Sequence, residues 1–275
     1  MTSTERLLEV ADALDEAQIP FLVMGGHAVR YYGLERNTAD FDFHSSLAAA
    51  DALPERLRRT RLFQGSMLRE ETTWRGRDFR RFQIGLLPNG REEWMEFWFR
   101  NHLLAPFDEA FGRRETGWIL RRNVSFLSLL DLIHSKETER DEDWRDVAYL
   151  EEVLDERHLR NATDSAGLVN ALAQLRSRRG FETAWVNQHV ADTVAVDAAL
   201  RLAAHPVTVA WLLPSSSAES HSTCAARPEA SVAAALSRVT PASARHLALV
   251  ETVRLAYRRA AKAKDREDKA RSPRR

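Results

Sequence analysis

The fold of this chain is decided by Val23-Met24-Gly25-Gly26-His27-Ala28-Val29-Arg30 and by Arg36-Asn37-Thr38-Ala39-Asp40-Phe41-Asp42-Phe43. The first stretch continues the apolar run that starts at Phe21, so it predicts a short buried strand that ends in a tight turn at the glycine pair. A short helix over residues 27–32 follows and stops at Gly33. The second stretch alternates polar and apolar residues, which predicts a strand with both aspartates on one face and both phenylalanines on the other.

The apolar pattern elsewhere predicts helices on both sides of a sheet. Helical spacing marks residues 5–17 and 48–60, whereas residues 79–87 and 93–99 are predicted strands joined by the turn Pro88-Asn89-Gly90. From Ser125 onward the pattern turns helical, with stripes at Phe126, Leu129, Leu130 and Ile133 and at Val147, Leu150 and Val153. The predicted class is α+β, a mixed β-sheet flanked by helices and followed by a helical C-terminal region.

Changes in composition divide the chain into four predicted segments. Residues 1–120 form the sheet domain, residues 121–210 a helical region, residues 211–230 a linker or flexible loop, and residues 231–275 a C-terminal helix with a charged tail. The linker contains Pro214-Ser215-Ser216-Ser217, and the tail ends in Arg271-Ser272-Pro273-Arg274-Arg275.

The composition is that of a soluble globular protein, with 44% hydrophobic and 29% charged residues in a chain of 275. No apolar run approaches the roughly 20 residues that cross a bilayer, and the amino terminus lacks the layout of a secretory signal. We therefore expect a cytoplasmic protein with no membrane partner. Lys and Arg total 40, as do Asp and Glu, so nucleic-acid binding would need a local patch of charge.

Asp40 and Asp42 are candidate ligands for Mg²⁺. Their i, i+2 spacing on one strand places both carboxylates on one face. Magnesium takes hard oxygen ligands, typically one or two carboxylates together with substrate phosphates and water. Gly25 and Gly26 are the complementary candidates, because a backbone without Cβ can approach phosphate closely.

This combination of an apolar residue, a glycine pair and Asp-x-Asp after thirteen intervening residues resembles the signature of the DNA polymerase β-like nucleotidyltransferase superfamily. The resemblance implies a mixed-sheet catalytic domain in which Asp40 and Asp42 bind Mg²⁺ and the Gly25-Gly26 turn lies near the phosphates of a nucleoside triphosphate such as ATP. Arg36 and Thr38, just before the acidic pair, are further candidates for phosphate contact. The alternative for those two residues is an ordinary polar turn.

A third carboxylate on a later strand normally completes such a site, and our candidate is Glu96. On its predicted strand it shares a face with Trp94 and Trp98, whereas Met95 and Phe97 lie on the other face. It would serve as a third metal ligand or as the base that activates the acceptor. Glu92 and Glu93, nearer the turn, are expected to be solvated, and a plain surface carboxylate is the alternative for Glu96.

A second resemblance is carried by Leu132-Ile133-His134-Ser135-Lys136 and Arg140-Asp141-Glu142-Asp143-Trp144-Arg145-Asp146-Val147. This run is similar to that of the AbiEii toxin-like and related small bacterial nucleotidyltransferases. Lys136 is the only lysine before Lys262, so a compact phosphate-binding charge is its predicted role, with a solvated helix position as the alternative. Asp143 and Asp146 share a helix face, where pairing with Arg140 competes with catalysis.

The predicted activity is Mg²⁺-dependent transfer of a nucleoside monophosphate from a triphosphate to an acceptor. The toxin-like resemblance implies tRNA or a protein as the acceptor and an antitoxin as a partner. An antibiotic adenylyltransferase of the aminoglycoside type is one alternative, and a catalytically silent binding protein with the same fold is another.

Two other features have competing interpretations. The arginine-rich residues 56–81 could hold an RNA acceptor or form an ordinary solvated surface. His27, after the glycine pair, could contact a nucleotide or simply cap and pack.

Overall fold

The computed structural model describes residues 2–73, 76–101, 103–138, 140–177, 179–180 and 183. The described chain divides into two compact units, the first reaching Thr138 and the second following it. The predicted linker over 211–230 and tail over 231–275 lie outside the described residues, as does the helical region beyond residue 183.

The first unit is built on a seven-stranded mixed sheet. Its strands are β1 (Phe21–Val23), β2 (Asp40–Ser45), β3 (Arg69–Glu71), β4 (Phe79–Leu86), β5 (Glu92–Trp98), β6 (Glu115–Ile119) and β7 (Arg122–Phe126). The order across the sheet is β3-β4-β5-β2-β1-β7-β6. Strands β2 and β5 pair in parallel, as do β1 and β7, and the remaining neighbours are antiparallel. The α+β class with a mixed sheet flanked by helices is therefore confirmed.

Five helices accompany this sheet in the described part of the first unit: α1 (Ser3–Glu16), α2 (Gly25–Tyr31), α3 (Leu53–Arg58), α4 (Phe107–Gly112) and α5 (Leu129–Ser135). A capping box starts α1, because the Thr2 hydroxyl accepts from the Glu5 amide while the Glu5 carboxylate accepts from the Thr2 amide. The predicted helix over 48–60 is wrong in extent. A 3₁₀ turn over Leu47–Ala49 precedes α3, and Pro54, which has no N–H to donate, fits only the first turn of a helix.

The core lies beneath the apolar faces of β2 and β5. Phe41, Phe43, Met95 and Phe97 are each at most 1% exposed, so the alternation predicted for both strands is present. On this core face Phe43 stacks on Phe97, with ring centroids 5.4 Å apart. Burial of these side chains fixes the register of the two strands, since a slip of one residue would bring their polar neighbours into the core.

The β6–β7 hairpin was not predicted and corrects two expectations. The sheet does not end at residue 120, because β7 lies beyond it and pairs with β1. Phe126 belongs to β7 rather than to a helix, and α5 starts only at Leu129 after the Ser128 cap. Leu130, expected in the apolar stripe, is 40% exposed. The run over 122–126 is short and has polar residues within it, so periodicity alone does not identify it as a strand.

The second unit is helical in its described part and contains α6 (Asp141–Asn161) and α7 (Ser165–Gln174), which pack against each other. Val147 and Leu150 are buried, in agreement with the predicted stripe, whereas Val153 is half-buried. In the described parts of both units, every helix is too short or too polar to cross a membrane.

Candidate active site

Parallel pairing of β2 with β5 brings two of the predicted carboxylates together. Asp42 lies directly opposite Glu96, and Asp40 lies opposite Trp94, one step earlier on the same face. Both aspartates are half-buried, and the Glu96 side chain is 17% exposed. Directly opposed side chains in a sheet lie about 5 Å apart, so Asp42 and Glu96 are within reach of one another.

Gly25 lies against the side chain of Asp42. It is the first residue of α2 and has a φ of +62°, a left-handed conformation that favours glycine. A Cβ on Gly25 would lie 2.0 Å from Asp42 Oδ2. The amide of the neighbouring Met24 donates to the Asp42 carbonyl at 2.9 Å and ties the start of the helix to β2. The glycine pair therefore begins the helix itself rather than forming a separate turn before it, and only glycine leaves room for the carboxylate.

Gly26 stands in a similar relation to Thr38. A Cβ on Gly26 would lie 2.6 Å from Thr38 Oγ1, and that hydroxyl donates to the Asp40 carbonyl at 3.3 Å. Thr38 thus lies between the second glycine and the first aspartate. Arg36 is half-buried two residues earlier on the same connection. The structure gathers Gly25, Gly26, Thr38, Asp40, Asp42 and Glu96 around the ends of β1 and β2.

The carboxyl group of Glu96 is strongly perturbed by its surroundings. Burial, followed by the charge of Asp42, raises the pKa of Glu96 to about 8, and a hydrogen bond with Asp42 and the charge of Asp40 act in the same direction. The Arg81 guanidinium acts against this rise. Its Nε lies 2.9 Å from Glu96 Oε1, so the pair is a partly buried ion pair. Carboxylates crowded in this way favour binding of a cation.

The donor set fits Mg²⁺ in its chemistry, because carboxylate oxygens are the hard ligands that this ion takes. Within the described residues, however, no group of three or more His, Cys, Asp or Glu side chains is assembled as a metal cage. If Mg²⁺ bound here, Asp40, Asp42 and Glu96 would supply only part of its coordination shell. Phosphate oxygens of a substrate and water would complete it, as is usual for magnesium.

Lys136 caps the C-terminus of α5, a helix that packs against α2. Lys136 is only 5% exposed, so the alternative of a solvated position on a helix is wrong. The predicted phosphate-binding role remains a prediction.

Asp143 and Asp146 lie in the second unit, where both are buried in α6. Arg140 Nε donates to Asp143 Oδ2 at 2.7 Å, and Arg140 Nη2 donates to Asp143 Oδ1 at 3.0 Å. For Asp143, this bidentate ion pair is the pairing with Arg140 that was expected as the alternative to a catalytic role.

His27 has a packing role. Its ring stacks on Phe41 with centroids 5.1 Å apart, and the residue is 4% exposed. Burial, together with the charge of Arg30, lowers the pKa of His27 to about 4, so the ring is neutral at physiological pH. It therefore supports the strand that carries the aspartates from the core side.

The arginines of residues 56–81 favour the interpretation as an ordinary surface. Most of those in the described part form ion pairs with acidic side chains: Arg59 with Glu55, Arg61 with Glu16, Arg69 with Glu92, Arg77 with Asp51, Arg80 with Glu70 and Asp51, and Arg81 with Glu71 and Glu96. Their charge is largely neutralised within the protein, which weakens the case for an RNA-binding patch.

Two contacts near the site were missed from sequence. Glu93, expected to be solvated, is 8% exposed because Arg6 of α1 reaches it with Nε 3.1 Å from Oε2. Arg81 lies beside Glu96, and its guanidinium lies 3.9 Å from the centre of the Trp94 ring. The antiparallel register of β4 and β5 could have indicated the second contact, since a hairpin closed by Pro88-Asn89-Gly90 sets which residues oppose each other.

No family model matches the chain, and no curated protein matches it either. Among solved structures, the lincosamide antibiotic adenylyltransferase LnuA with lincomycin bound has a TM-score of 0.41 at 12% identity, covering 56% of this chain and 98% of that one. An antigenic nucleotidyltransferase-like protein from Paracoccidioides brasiliensis has a TM-score of 0.39 at 17% identity, covering 71% and 92%. JHP933 from Helicobacter pylori has a TM-score of 0.38 at 14% identity, covering 82% and 99%. Likenesses this distant identify neither the family nor the substrate of the chain.

Proposed function

We propose that the first unit is a Mg²⁺-dependent nucleotidyltransferase that moves a nucleoside monophosphate from a triphosphate to an acceptor and releases pyrophosphate. The observation that carries the proposal is the placement of Asp42 directly opposite Glu96 and against Gly25, a position that tolerates no Cβ beside the carboxylate. Two carboxyl groups opposed in a sheet are costly for a structure without a cation to bind, because like charges in that position destabilise the sheet.

Each residue has a role in this proposal. Asp40 and Asp42 would hold the metal ion, which neutralises the charge that develops on the triphosphate. Gly25 and Gly26 would let the phosphates approach the backbone, with Thr38 and Arg36 beside them. Lys136 would contribute a positive charge to the phosphates from the end of α5.

Glu96 would act as third ligand or as base. In the reaction, the acceptor oxygen or nitrogen forms a bond to the α-phosphorus, and the bond from that phosphorus to the bridging oxygen of pyrophosphate breaks. The acceptor loses one proton, and a carboxylate beside Asp42 is placed to receive it. Its raised pKa suits such a base, because proton transfer is most effective when the pKa of the catalytic group is near the working pH.

The activity can be tested with the full chain and each of the four nucleoside triphosphates, labelled at the α-phosphate, with Mg²⁺ and total cell RNA. We expect label to move to the acceptor or, without acceptor, to the protein itself. Asp42→Asn should abolish the transfer, whereas Asp51→Asn should not, since Asp51 is an exposed residue in surface ion pairs. Transfer that survives Asp42→Asn would refute the assignment.

For the acceptor we propose tRNA or a protein, in a toxin-like role with an antitoxin as partner. The support is the sequence resemblance around Lys136 and Arg140 described above. Label on tRNA or on a protein band would agree with this proposal. Label found only on an added aminoglycoside or lincosamide would identify an antibiotic adenylyltransferase instead.

A further inference from the structure

A row of four charged side chains crosses the sheet at the level of the acidic site. Glu71 of β3 lies opposite Arg81 of β4, Arg81 lies opposite Glu96 of β5, and Glu96 lies opposite Asp42 of β2. The signs of the charges along the row are negative, positive, negative and negative, so the like charges are those of Glu96 and Asp42. Opposed side chains on one face interact directly, and like charges in that position destabilise a sheet.

Arg81 is held from three sides. Its Nη1 donates to Glu71 Oε2 at 3.1 Å, its guanidinium stacks 3.9 Å from the centre of the Trp94 ring, and its Nε lies 2.9 Å from Glu96 Oε1. Nε makes no aligned hydrogen bond, so its contact with Glu96 is electrostatic. A planar guanidinium fixed against an aromatic ring has little freedom to move, and its charge therefore acts from a fixed place.

This arrangement meets a specific need of the site. To bind a metal ion both carboxyl groups must be ionised, and Glu96 and Asp42 then repel each other. Arg81 offsets that repulsion from the opposite side of Glu96.

We infer that Arg81 is a positioning residue, which holds the carboxylate of Glu96 beside Asp42 so that both can bind the metal ion. The inference rests on the proposed function and takes Glu96 as a ligand. In this inference the residue opposite Glu96 in the sheet is an arginine, and Trp94 and Glu71 hold its guanidinium in place. Partners that orient a metal ligand typically change metal affinity or activity by about 10- to 100-fold when they are removed.

The test measures binding of Mn²⁺, as a paramagnetic substitute for Mg²⁺, to the full chain with a nonhydrolysable nucleoside triphosphate, by electron paramagnetic resonance. Four proteins form a double-mutant cycle: the unaltered chain, Arg81→Gln, Glu96→Gln and the double variant. We expect Arg81→Gln to weaken Mn²⁺ binding about tenfold in the unaltered background and to have little effect when Glu96 is already Gln.

Arg80→Gln is the matched control. Arg80 precedes Arg81 on β4, so its side chain lies on the opposite face, and it pairs with Glu70 and Asp51. The substitution removes the same charge from the same strand and should leave Mn²⁺ affinity unchanged. The melting temperature of each variant, measured alongside, separates loss of fold from loss of the metal.

Arg81→Lys gives a second, milder variant. It keeps the positive charge but loses the planar group that stacks on Trp94, so we expect a loss of Mn²⁺ affinity between those of the unaltered chain and Arg81→Gln. If Arg81→Gln does not fold, Arg81→Lys takes its place in the double-mutant cycle with Glu96→Gln.

The outcomes are distinct. Unchanged or tighter Mn²⁺ binding in Arg81→Gln would overturn the inference, because Arg81 would then be neutral toward the metal or compete with it. Equal losses with and without Glu96 would also overturn it, since Arg81 would not act through Glu96. If the unaltered chain binds no Mn²⁺ with the triphosphate, the proposed function fails and the inference fails with it.

Discussion

Two carboxyl groups, one in each unit, have raised pKa values but different neighbours. Glu96 in the sheet of the first unit has a pKa of about 8, and Asp155 in α6 of the second unit has a pKa of about 7. Burial is the largest cause for both. What differs is the set of neighbours. Glu96 lies beside two carboxylates and one guanidinium, whereas Asp155 accepts hydrogen bonds that lower its pKa and has only the charge of Glu151 to raise it further.

Asp155 caps the chain that follows α7. Its Oδ2 accepts from the Ser177 amide at 2.7 Å and from the Ser177 hydroxyl at 2.6 Å, and its Oδ1 accepts from the Arg176 amide at 3.0 Å. Gly180 leaves room for this carboxylate, since a Cβ there would lie 2.3 Å from Oδ2. Each unit therefore contains a glycine against a carboxylate, Gly25 with Asp42 and Gly180 with Asp155.

The comparison shows that a raised pKa and a close glycine do not by themselves mark a functional site. Structural networks produce both, and the partners of the carboxylate distinguish the two cases. A group whose oxygens are occupied by protein N–H and O–H donors is structurally satisfied. A carboxylate that faces two others and one arginine still favours a cation.

Asp42→Asn should have the largest effect. We expect nucleotide transfer to fall by at least about a hundredfold, the scale for removing an electrostatic element of a transition state, with little change in melting temperature. Asp155→Asn should leave transfer per folded molecule unchanged. Initial rates with labelled triphosphate, normalised to the folded fraction, provide the comparison, and a comparable loss of rate in both variants would remove the distinction between the two carboxyl groups.

Substitution of the two glycines should likewise have different effects on activity. Gly25→Ala places a methyl group 2.0 Å from Asp42 Oδ2 at a positive φ, so we expect at least a tenfold loss of transfer, about the effect of a displaced catalytic group. Gly180→Ala should lower stability and spare activity. Rates and melting curves of both variants test this, and full activity in a folded Gly25→Ala protein would contradict the geometry of the site.

Removal of the Asp155 carboxylate should lower stability without changing activity. Asp155→Ala leaves the amides of Arg176 and Ser177 and the hydroxyl of Ser177 without their acceptor, and each buried donor left in this way costs about 1–3 kcal/mol. Urea unfolding followed by circular dichroism measures the loss. If Asp155→Ala were as stable as the unaltered chain, these hydrogen bonds would contribute nothing.

Sequence predicted the acidic strand well because a buried strand has a simple signature. The phenylalanines of Asp40-Phe41-Asp42-Phe43 fix which face is buried, and the same alternation on β5 placed Glu96 on the face opposite to Met95 and Phe97. The class of the fold followed from the same patterns. The nearness of Glu96 to Asp42 required the pairing of β2 with β5, which are separated in the chain by α3, β3, β4 and two 3₁₀ turns, so the pairing has no local signal.

The remaining differences have identifiable causes. Arg81 looked like one member of an arginine-rich surface, since neither its stacking on Trp94 nor its contact with Glu96 is encoded in neighbouring residues. The β6–β7 hairpin turns at Leu120 with a φ of +50°, without the Asn-Gly or Gly-x pair that identifies such turns in a sequence. Tertiary pairing with β1 stabilises β7 there, and periodicity does not reveal it.

The smallest expected effect is a change in how stability depends on pH. The folded state keeps the Glu96 proton up to about pH 8, whereas the unfolded chain loses it near the ordinary value of 4.5. The folded state therefore binds more protons between these values, and the free energy of unfolding falls as pH rises between them. His27 acts in the opposite direction, but only below about pH 6.5, where the unfolded chain takes up a proton that the folded ring refuses.

Glu96→Gln removes this titration, so the variant should gain stability relative to the unaltered chain as pH rises from 6.5 to 8.5. Asp155 also loses its proton over part of this range, but it does so in both proteins and cancels from the difference. Melting temperatures across the range, without added metal, give that difference directly, and we expect it to grow by a few degrees. A difference that stayed constant with pH would mean that Glu96 is already charged at pH 6.5. The contrast between a crowded carboxyl in the sheet and a satisfied one in α6 would then rest on neighbours alone and not on protonation.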